Sequence, residues 1–296
     1  MPAPRLLVLS RNPDAHGVRR LVEAGQARGG DELVDPHALR LGLQHGKLAA
    51  WIDETGPIDP ASTVVIPRIG STSTEYSLAV LEHLETMGVP TLNPAAGVAR
   101  LRNKFNMLGY LAQAGLGVPD SAMLRSPADL SAVADRLDGW PLVLKFIRGS
   151  QGLGVMLAAD ELAASSILEA LNFAQYDVLL QRYYADAATT DIRVLVLGGR
   201  ARWAVRRVAA AGRFRSNIHR GGRAEPLDIP AELRETAERA AAVFGLGLAG
   251  VDLTQTADGP LVLEVNSSPG FEQPEALYGP VVADAIVDYT LSLSRS

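Results

Sequence analysis

The chain has 296 residues, 47% of them hydrophobic and 21% charged, with a formal net charge of −5 and no cysteine. That length allows one large domain or two to three small ones with ample core, and the balance is that of a soluble globular protein. The missing cysteines exclude disulfides, thiolate catalysis and Cys-ligated zinc. The acidic balance argues against a protein that coats nucleic acid over its whole surface.

No apolar run reaches the ~20 residues of a membrane span. The opening MPAPRLLVLS lacks a signal peptide's small-residue cleavage site, so a cytoplasmic location without membrane contact is expected. Residues 5–9 read as a buried strand, followed by an amphipathic helix over 14–28 and a strand near 32–34. A further strand spans 63–69, then a helix over roughly 76–87 and the apolar piece VPTLN. Strands alternating with helices predict a small parallel α/β sheet. Asn93-Pro94 reads as an N-cap with proline at the first helical position, and two helical segments follow, the second ending near Gly115.

Beyond Val118 the pattern changes. A helix opens at Ser126-Pro127, PLVLKF (141–146) is a strand, RGSQGLGV (148–155) is a glycine-rich loop, and a helix covers 160–173. VLLQRYY is a strand, IRVLVLGGRARWAVRRV a Gly-Gly hairpin, and 230–245 a helix before a final hairpin. No repeat or low-complexity linker interrupts the chain. The expected division is 1–100, 101–180 and 181–296.

The final hairpin, GLAGVDLTQTADGPLVLEVNSSPG, is the most informative stretch. Folding about Asp258 places Asp252 opposite Glu264, and Asn266 shares the face of Glu264. Opposed like charges about 5 Å apart are destabilising, so a cation between them is expected. Oxygen ligands without His or Cys suit Mg²⁺ or Mn²⁺ rather than zinc. The competing reading is an exposed hairpin whose acids face water.

Only Lys47, Lys104 and Lys145 among the 28 basic residues are lysines. Lys145 lies mid-strand, four residues before Gly149, where a phosphate would be its partner. The loop glycines let backbone N–H groups approach phosphate oxygens. Residues 192–224 hold nine arginines and no acid, which suits a pocket for phosphates and carboxylates. Within it, His219 could serve as a general base, but a hydrogen-bonding or core histidine is at least as good a reading.

Taken in order, Lys104, Lys145 with GSQGLGV, LLQRYY, Asp191-Ile192-Arg193, FRSNIHRGG, GVDL and LEVNSSPG resemble the ATP-grasp carboxylate–amine ligases. The chain is most similar to the glutamate ligases of the ribosomal protein S6 modification (RimK) type, from LLVLSRN through PRIG to EVNSSPG. The resemblance implies an α/β (α+β) ATP-grasp fold with an N-terminal pre-ATP-grasp domain. It implies that Lys104 and Lys145 contact ATP phosphates, and that Gly149, Ser150, Gln151, Gly152 and Gly154 belong to the covering loop. Gln181, Arg182, Tyr183 and Tyr184 would form the adenine hinge, and Asp191 would hold the ribose. Arg215, Ser216 and Asn217 would face the γ-phosphate and acyl intermediate, with Arg207, Arg215 and Asn217 as catalytic residues. Asp252, Glu264 and Asn266 would bind two Mg²⁺ (or Mn²⁺). One departure is Arg182, which replaces the glutamate usual at the hinge.

The implied chemistry joins L-glutamate to the C-terminal glutamate of an acidic peptide or protein, ribosomal protein S6 being one such acceptor. The resemblance also suggests a homo-oligomer. The same chemistry on other substrates, in lysine biosynthesis on a carrier protein or in cofactor glutamylation, stays open. A reading of another class is a nucleotide- or RNA-binding protein without ligase activity.

Overall fold

A computed structural model describes residues 4–53, 55–70, 75–147, 154–185, 190–208 and 223–295. The chain begins with β1 (Arg5–Leu9), α1 (His16–Gln26) and β2 (Asp31–Val34). It continues through β3 (Leu39–Gln44), β4 (Lys47–Ile52), β5 (Gly56–Pro57), β6 (Thr63–Pro67), α2 (Glu75–Thr86) and α3 (Ala95–Arg100). Strands β2, β1 and β6 lie side by side and parallel. Leu6 to Leu9 are wholly buried because helices cover both faces, which explains the uninterrupted apolar run. One face packs on α1 and the other on α2, α3 and the β3–β4 hairpin.

That hairpin has no counterpart among the elements predicted above. It turns at His45-Gly46, both at positive φ (52° and 76°), the geometry that matches the twist of paired strands.

The middle of the chain contributes α4 (Lys104–Gln113), β7 (Ser121–Met123), α5 (Leu130–Arg136), β8 (Leu142–Phe146), β9 (Val155–Ala158), α6 (Glu161–Phe173) and β10 (Val178–Arg182). Its sheet, in the order β7-β10-β8-β9, is antiparallel. Leu142, Leu144, Val178 and Leu180 face α5 and α6. The alternate residues Val143, Lys145, Leu179 and Gln181 therefore share the opposite face.

The last part comprises β11 (Thr190–Leu197), β12 (Arg200–Val208), β13 (Arg223–Pro226), α7 (Ala231–Val243), β14 (Leu248–Thr256), β15 (Gly259–Asn266), α8 (Glu272–Tyr278) and α9 (Val281–Ser292). Five antiparallel strands run in the order β13-β12-β11-β14-β15. One face carries Ile192, Val194, Val251, Leu253, Val262 and Val265 against α4 and α7. The expected Gly-Gly hairpin is present, with Gly198 and Gly199 at φ 59° and 72°. α9 returns to the N-terminal sheet, where Val282, Ile286 and Val287 pack with Leu6, Val8 and Leu21.

Asn93 departs from its expected role. Helix α3 starts one residue later than predicted, with Pro94 in the cap position and no side-chain cap, while Glu85 accepts from the Ala95 N–H at 2.9 Å. Asn93 is instead 1% exposed. Its amide donates to Leu248 O (2.8 Å) and Ser267 O (2.6 Å), and its Oδ1 accepts from Leu248 N (2.8 Å). Three bonds thus tie the segment between α2 and α3 to the start of β14 and to the residue that follows β15. Asn93→Ala leaves these buried groups unpaired and is expected to destabilise the protein by about 3 kcal/mol; urea unfolding measures it, and a loss under about 1 kcal/mol contradicts this role.

Candidate active site

The site lies on the face of the five-stranded sheet opposite α7. Strand pairing sets Arg193 against Asp252 and Asp252 against Glu264, a lateral row across β11, β14 and β15. In the neighbouring row Asp191 faces Arg207 across β11 and β12. The expected opposition of Asp252 and Glu264 is observed, by a different route. The turn contains two residues, with Thr256 paired to Gly259, so a regular ladder would place Leu263 opposite Asp252. An irregularity between Asp252 and Leu253 shifts the register by one. This bulge lets Val262 and Val265, three apart, both enter the core while Glu264 points to the site.

The two acids are compensated by protein cations. Asp252, 7% exposed, accepts from Arg193 Nε and Nη2 at 2.7 and 2.6 Å. Arg207 Nη2 lies 3.1 Å from Asp252 and donates to Asp191 at 2.6 Å, as does its Nε. Burial alone would raise the Asp252 pKa, but the charges and hydrogen bonds of Arg193 and Arg207 outweigh it and hold the carboxyl below the usual range. Burial likewise opposes the charge on Arg207, which Asp252 and Asp191 reinforce. Glu264 is ion-paired to Lys104 Nζ.

Lys104 opens α4, whose N-cap Asn103 accepts from Asn106 N at 3.1 Å. The Lys104 N–H donates to Ile147 O at 3.2 Å, which joins this helix end to the end of β8. The cation expected from acid–acid repulsion is therefore supplied here by arginine and lysine. Among the described residues no group of three or more His, Asp or Glu side chains is arranged to hold an ion.

Lys145, half-buried on β8, faces this cluster from the other sheet. Burial pushes its ammonium pKa down to about 8; Lys104 lowers it further, while Glu264, Asp252 and Asp191 raise it. Four cations (Lys104, Lys145, Arg193, Arg207) and three carboxylates thus share one site, a surplus that suits a polyanion. The donor set also fits a hard divalent ion: Asp252, Glu264 and Asn266 offer only oxygen or amide groups. Asn266 lines a cleft of about 80 Å³ with Lys104, Glu264, Ile69, Gly70 and Ser268.

The hinge residues divide. Gln181, 2% exposed, shares the face of Lys145, and its amide donates to Ser121 Oγ at 2.9 Å. Arg182 falls on the helix-facing side, with Nη2 2.5 Å from Asp138 and its guanidinium 5.1 Å from the Tyr184 ring. Tyr184 OH lies 3.4 Å from Asp120 Oδ2, and Tyr183 is half-buried beside it. Gly154 has φ 76°, and a Cβ there would stand 2.0 Å from the Phe146 ring, so only glycine fits. Gly149, Ser150, Gln151, Gly152, Arg215, Ser216, Asn217 and His219 lie outside the described residues.

The sequence reading left Arg193 without a role. The signal was its two-residue spacing from Asp191, which puts both on one face.

Comparisons with known proteins bear on the family and the fold. The family model described as the RimK-like ATP-grasp domain matches residues 101–290, and that of the RimK pre-ATP-grasp domain matches residues 5–98. A probable alpha-L-glutamate ligase 1 from Shewanella denitrificans is 42% identical over 286 residues, 96% of each chain. A probable alpha-L-glutamate ligase from Pseudomonas paraeruginosa is 42% identical over 96% of this chain and 94% of its own. Among solved structures, a RimK domain ATP-grasp protein from Sphaerobacter thermophilus superposes with a TM-score of 0.72 at 25% identity, covering 97% of this chain and 99% of that one. The ATP-grasp ligase PsnB, complexed with a phosphomimetic variant of its minimal precursor, Mg and ADP, gives 0.79 at 22% identity and 99% of both chains. At that identity the likeness concerns the fold.

The depressed Lys145 pKa carries a sign. Unfolded lysine titrates near 10.5, so between about 8 and 10.5 the unfolded chain binds more protons and stability rises with pH. Below about 8 the penalty of burying the charge is fully present. Lys145→Met is therefore expected to unfold at higher urea than the parent at pH 7, with the gap closing by pH 10.5. An equal gap at both pH values counts against the shift.

Proposed function

The chain belongs to the RimK-like ATP-grasp family, a family of ligases, and from this premise we propose that it joins L-glutamate to a peptide or protein ending in an acidic residue. The observation that carries the reading is the row Arg193–Asp252–Glu264 with Lys104 and Lys145 around it. The glutamate substrate is supported by relatives at 42% identity named as probable alpha-L-glutamate ligases. Ribosomal protein S6 is one acceptor of the required chemistry. The cysteine-free composition supports a cytoplasmic enzyme, and among the described residues no helix is long and apolar enough to cross a membrane.

An acceptor carboxylate attacks the γ-phosphoryl group of ATP, ADP leaves, and the acyl phosphate is captured by the glutamate amine with release of phosphate. Asp252, Glu264 and Asn266 would hold Mg²⁺, which supplies charge neutralisation at the phosphate oxygens when bound. Lys104 and Lys145 hold the triphosphate from two sides. Arg193 and Arg207 keep Asp252 ionised and aimed, and stand ready to meet negative charge developing on the transferred group. The FRSN segment, with Arg215, Ser216 and Asn217, is assigned to the acyl phosphate on its resemblance alone. Arg182 has its side chain committed to Asp138, so adenine is read at the hinge through backbone groups.

Incubation with ATP, Mg²⁺, glutamate and a Glu-ending peptide is expected to release ADP and extend the peptide, seen by mass spectrometry. No ADP release with any amino-acid and acceptor mixture overturns the proposal. Glu264→Gln is expected to lower kcat roughly 100-fold or more, measured by coupled ADP release. Arg182→Ala should leave the KM for ATP within about twofold, since an exposed ion pair contributes little; a tenfold rise would return the side chain to the nucleotide.

A further inference from the structure

Arg68 follows the N-terminal sheet and has no part in the site described above. It follows β6 at the carboxyl end of parallel strands, the edge at which open parallel sheets bind ligands. Its Nη2 donates to Pro269 O at 3.0 Å. Its Nε and Nη1 are sealed from solvent and meet no acceptor among the described residues. The guanidinium sits 5.7 Å from the Phe271 ring centroid. Burial lowers its pKa to about 10, with no neighbouring charge to oppose the shift. Nearby arginines behave otherwise: Arg5 pairs with Glu32, Arg20 with Glu275, and Arg28 with Asp284 and Asp288. Arg68 is half-buried, and a guanidinium partly withdrawn from water without an anion is costly to fold, a cost that a bound anion relieves.

The first turn of α1 meets the same spot. A Cβ on Gly17 would stand 3.2 Å from Arg68 Nη2 and 3.1 Å from Phe271, so the absent side chain is what lets the guanidinium approach. Helix α1 has eleven residues, Ala15 at its N-cap, no capping side chain and no acid in its first turn. Its terminal N–H groups and dipole therefore favour an anion there. His16 Nε2 and the Arg20 guanidinium are engaged by the buried Glu275 instead. The spot also adjoins the cleft, because Ile69 and Gly70 line it beside Lys104, Glu264 and Asn266. Ser268 Oγ donates to Pro67 O and Ile69 O at 3.3 and 3.2 Å, fixing the two walls together.

We propose that Arg68 and the first turn of α1 form a carboxylate-binding subsite for a substrate carboxylate other than the one being activated. It deepens the ligase reading and rests on it: the pre-ATP-grasp domain selects the acidic substrate, while the two following sheets carry ATP.

The test separates binding from turnover. Calorimetry without ATP uses glutarate as the dicarboxylate probe and inorganic phosphate as the alternative anion. Glutarate is expected to bind the parent and to bind Arg68→Gln at least about tenfold more weakly, with phosphate failing to compete. In the ligase assay Arg68→Gln should raise the KM for a Glu-ending peptide at least about tenfold, with kcat and the KM for ATP within about threefold. The preference for a free acid over the peptide's terminal amide should shrink with it.

Gly17→Ala, which crowds the guanidinium, is expected to act in the same direction, and Arg68→Lys to recover part of the loss. These two keep the test open if Arg68→Gln fails to fold. Glutarate binding untouched by all three variants overturns the proposal, as does phosphate binding tighter than glutarate. Arg68-dependent glutarate binding without any ADP release would sink the ligase reading and leave the subsite standing.

Discussion

The opposition of Asp252 and Glu264 across the last hairpin is the constraint from which the rest of the site follows. Two carboxylates on adjacent strands cannot share a face uncompensated. The fold answers with Arg193 from the next strand, Arg207 from the one beyond and Lys104 from the end of α4. Each cation is delivered by a different element, so the acids draw β12, β11 and α4 toward one point. The buried Arg–Asp pairs are not thereby a source of net stability, since desolvation consumes much of their attraction. Their value is positional: they fix where the charged groups of the site stand.

The sheet register sets which groups meet. A two-residue turn would have left Asp252 facing Leu263, and the single bulge corrects this. Its signature is visible in the core, where Val262 and Val265 both belong to the buried cluster of Met107, Leu111 and Ala241 although odd spacing should send them to opposite faces. The same bulge places Val265 N against the Met107 sulfur at 3.2 Å. The placing of Glu264 beside Asp252 and the packing of the core thus both follow from the same extra residue.

Much of this was legible in the chain. Buried parallel strands, the Gly-Gly hairpin and the final hairpin announced themselves through runs of Val, Leu and Ile and through turn residues. The acidic pair was found by counting from Asp258, which succeeded because the bulge offset the half-residue error in the assumed turn centre. What escaped depended on long-range contact. Asn93 carries every local sign of a helix cap, yet partners 155 and 174 residues away outcompete that role. The His45-Gly46 turn requires positive φ at a non-glycine residue, which composition does not signal. Arg68 and Arg193 stand among many arginines, and only burial and register distinguish them.

The Asn93 bonds have a mechanical meaning. With α9 packed on the first sheet and Asn93 fastened to both ends of the last hairpin, the N-terminal layer and the five-stranded sheet form one stator. The antiparallel layer β7–β10 joins the central core through Leu179 and Ile147 and keeps its own packing around α5 and α6. Lys145 therefore belongs to a separately packed layer, while the Arg193–Asp252–Glu264 row it faces is built into the layer that Asn93 and α9 fasten to the N-terminal sheet.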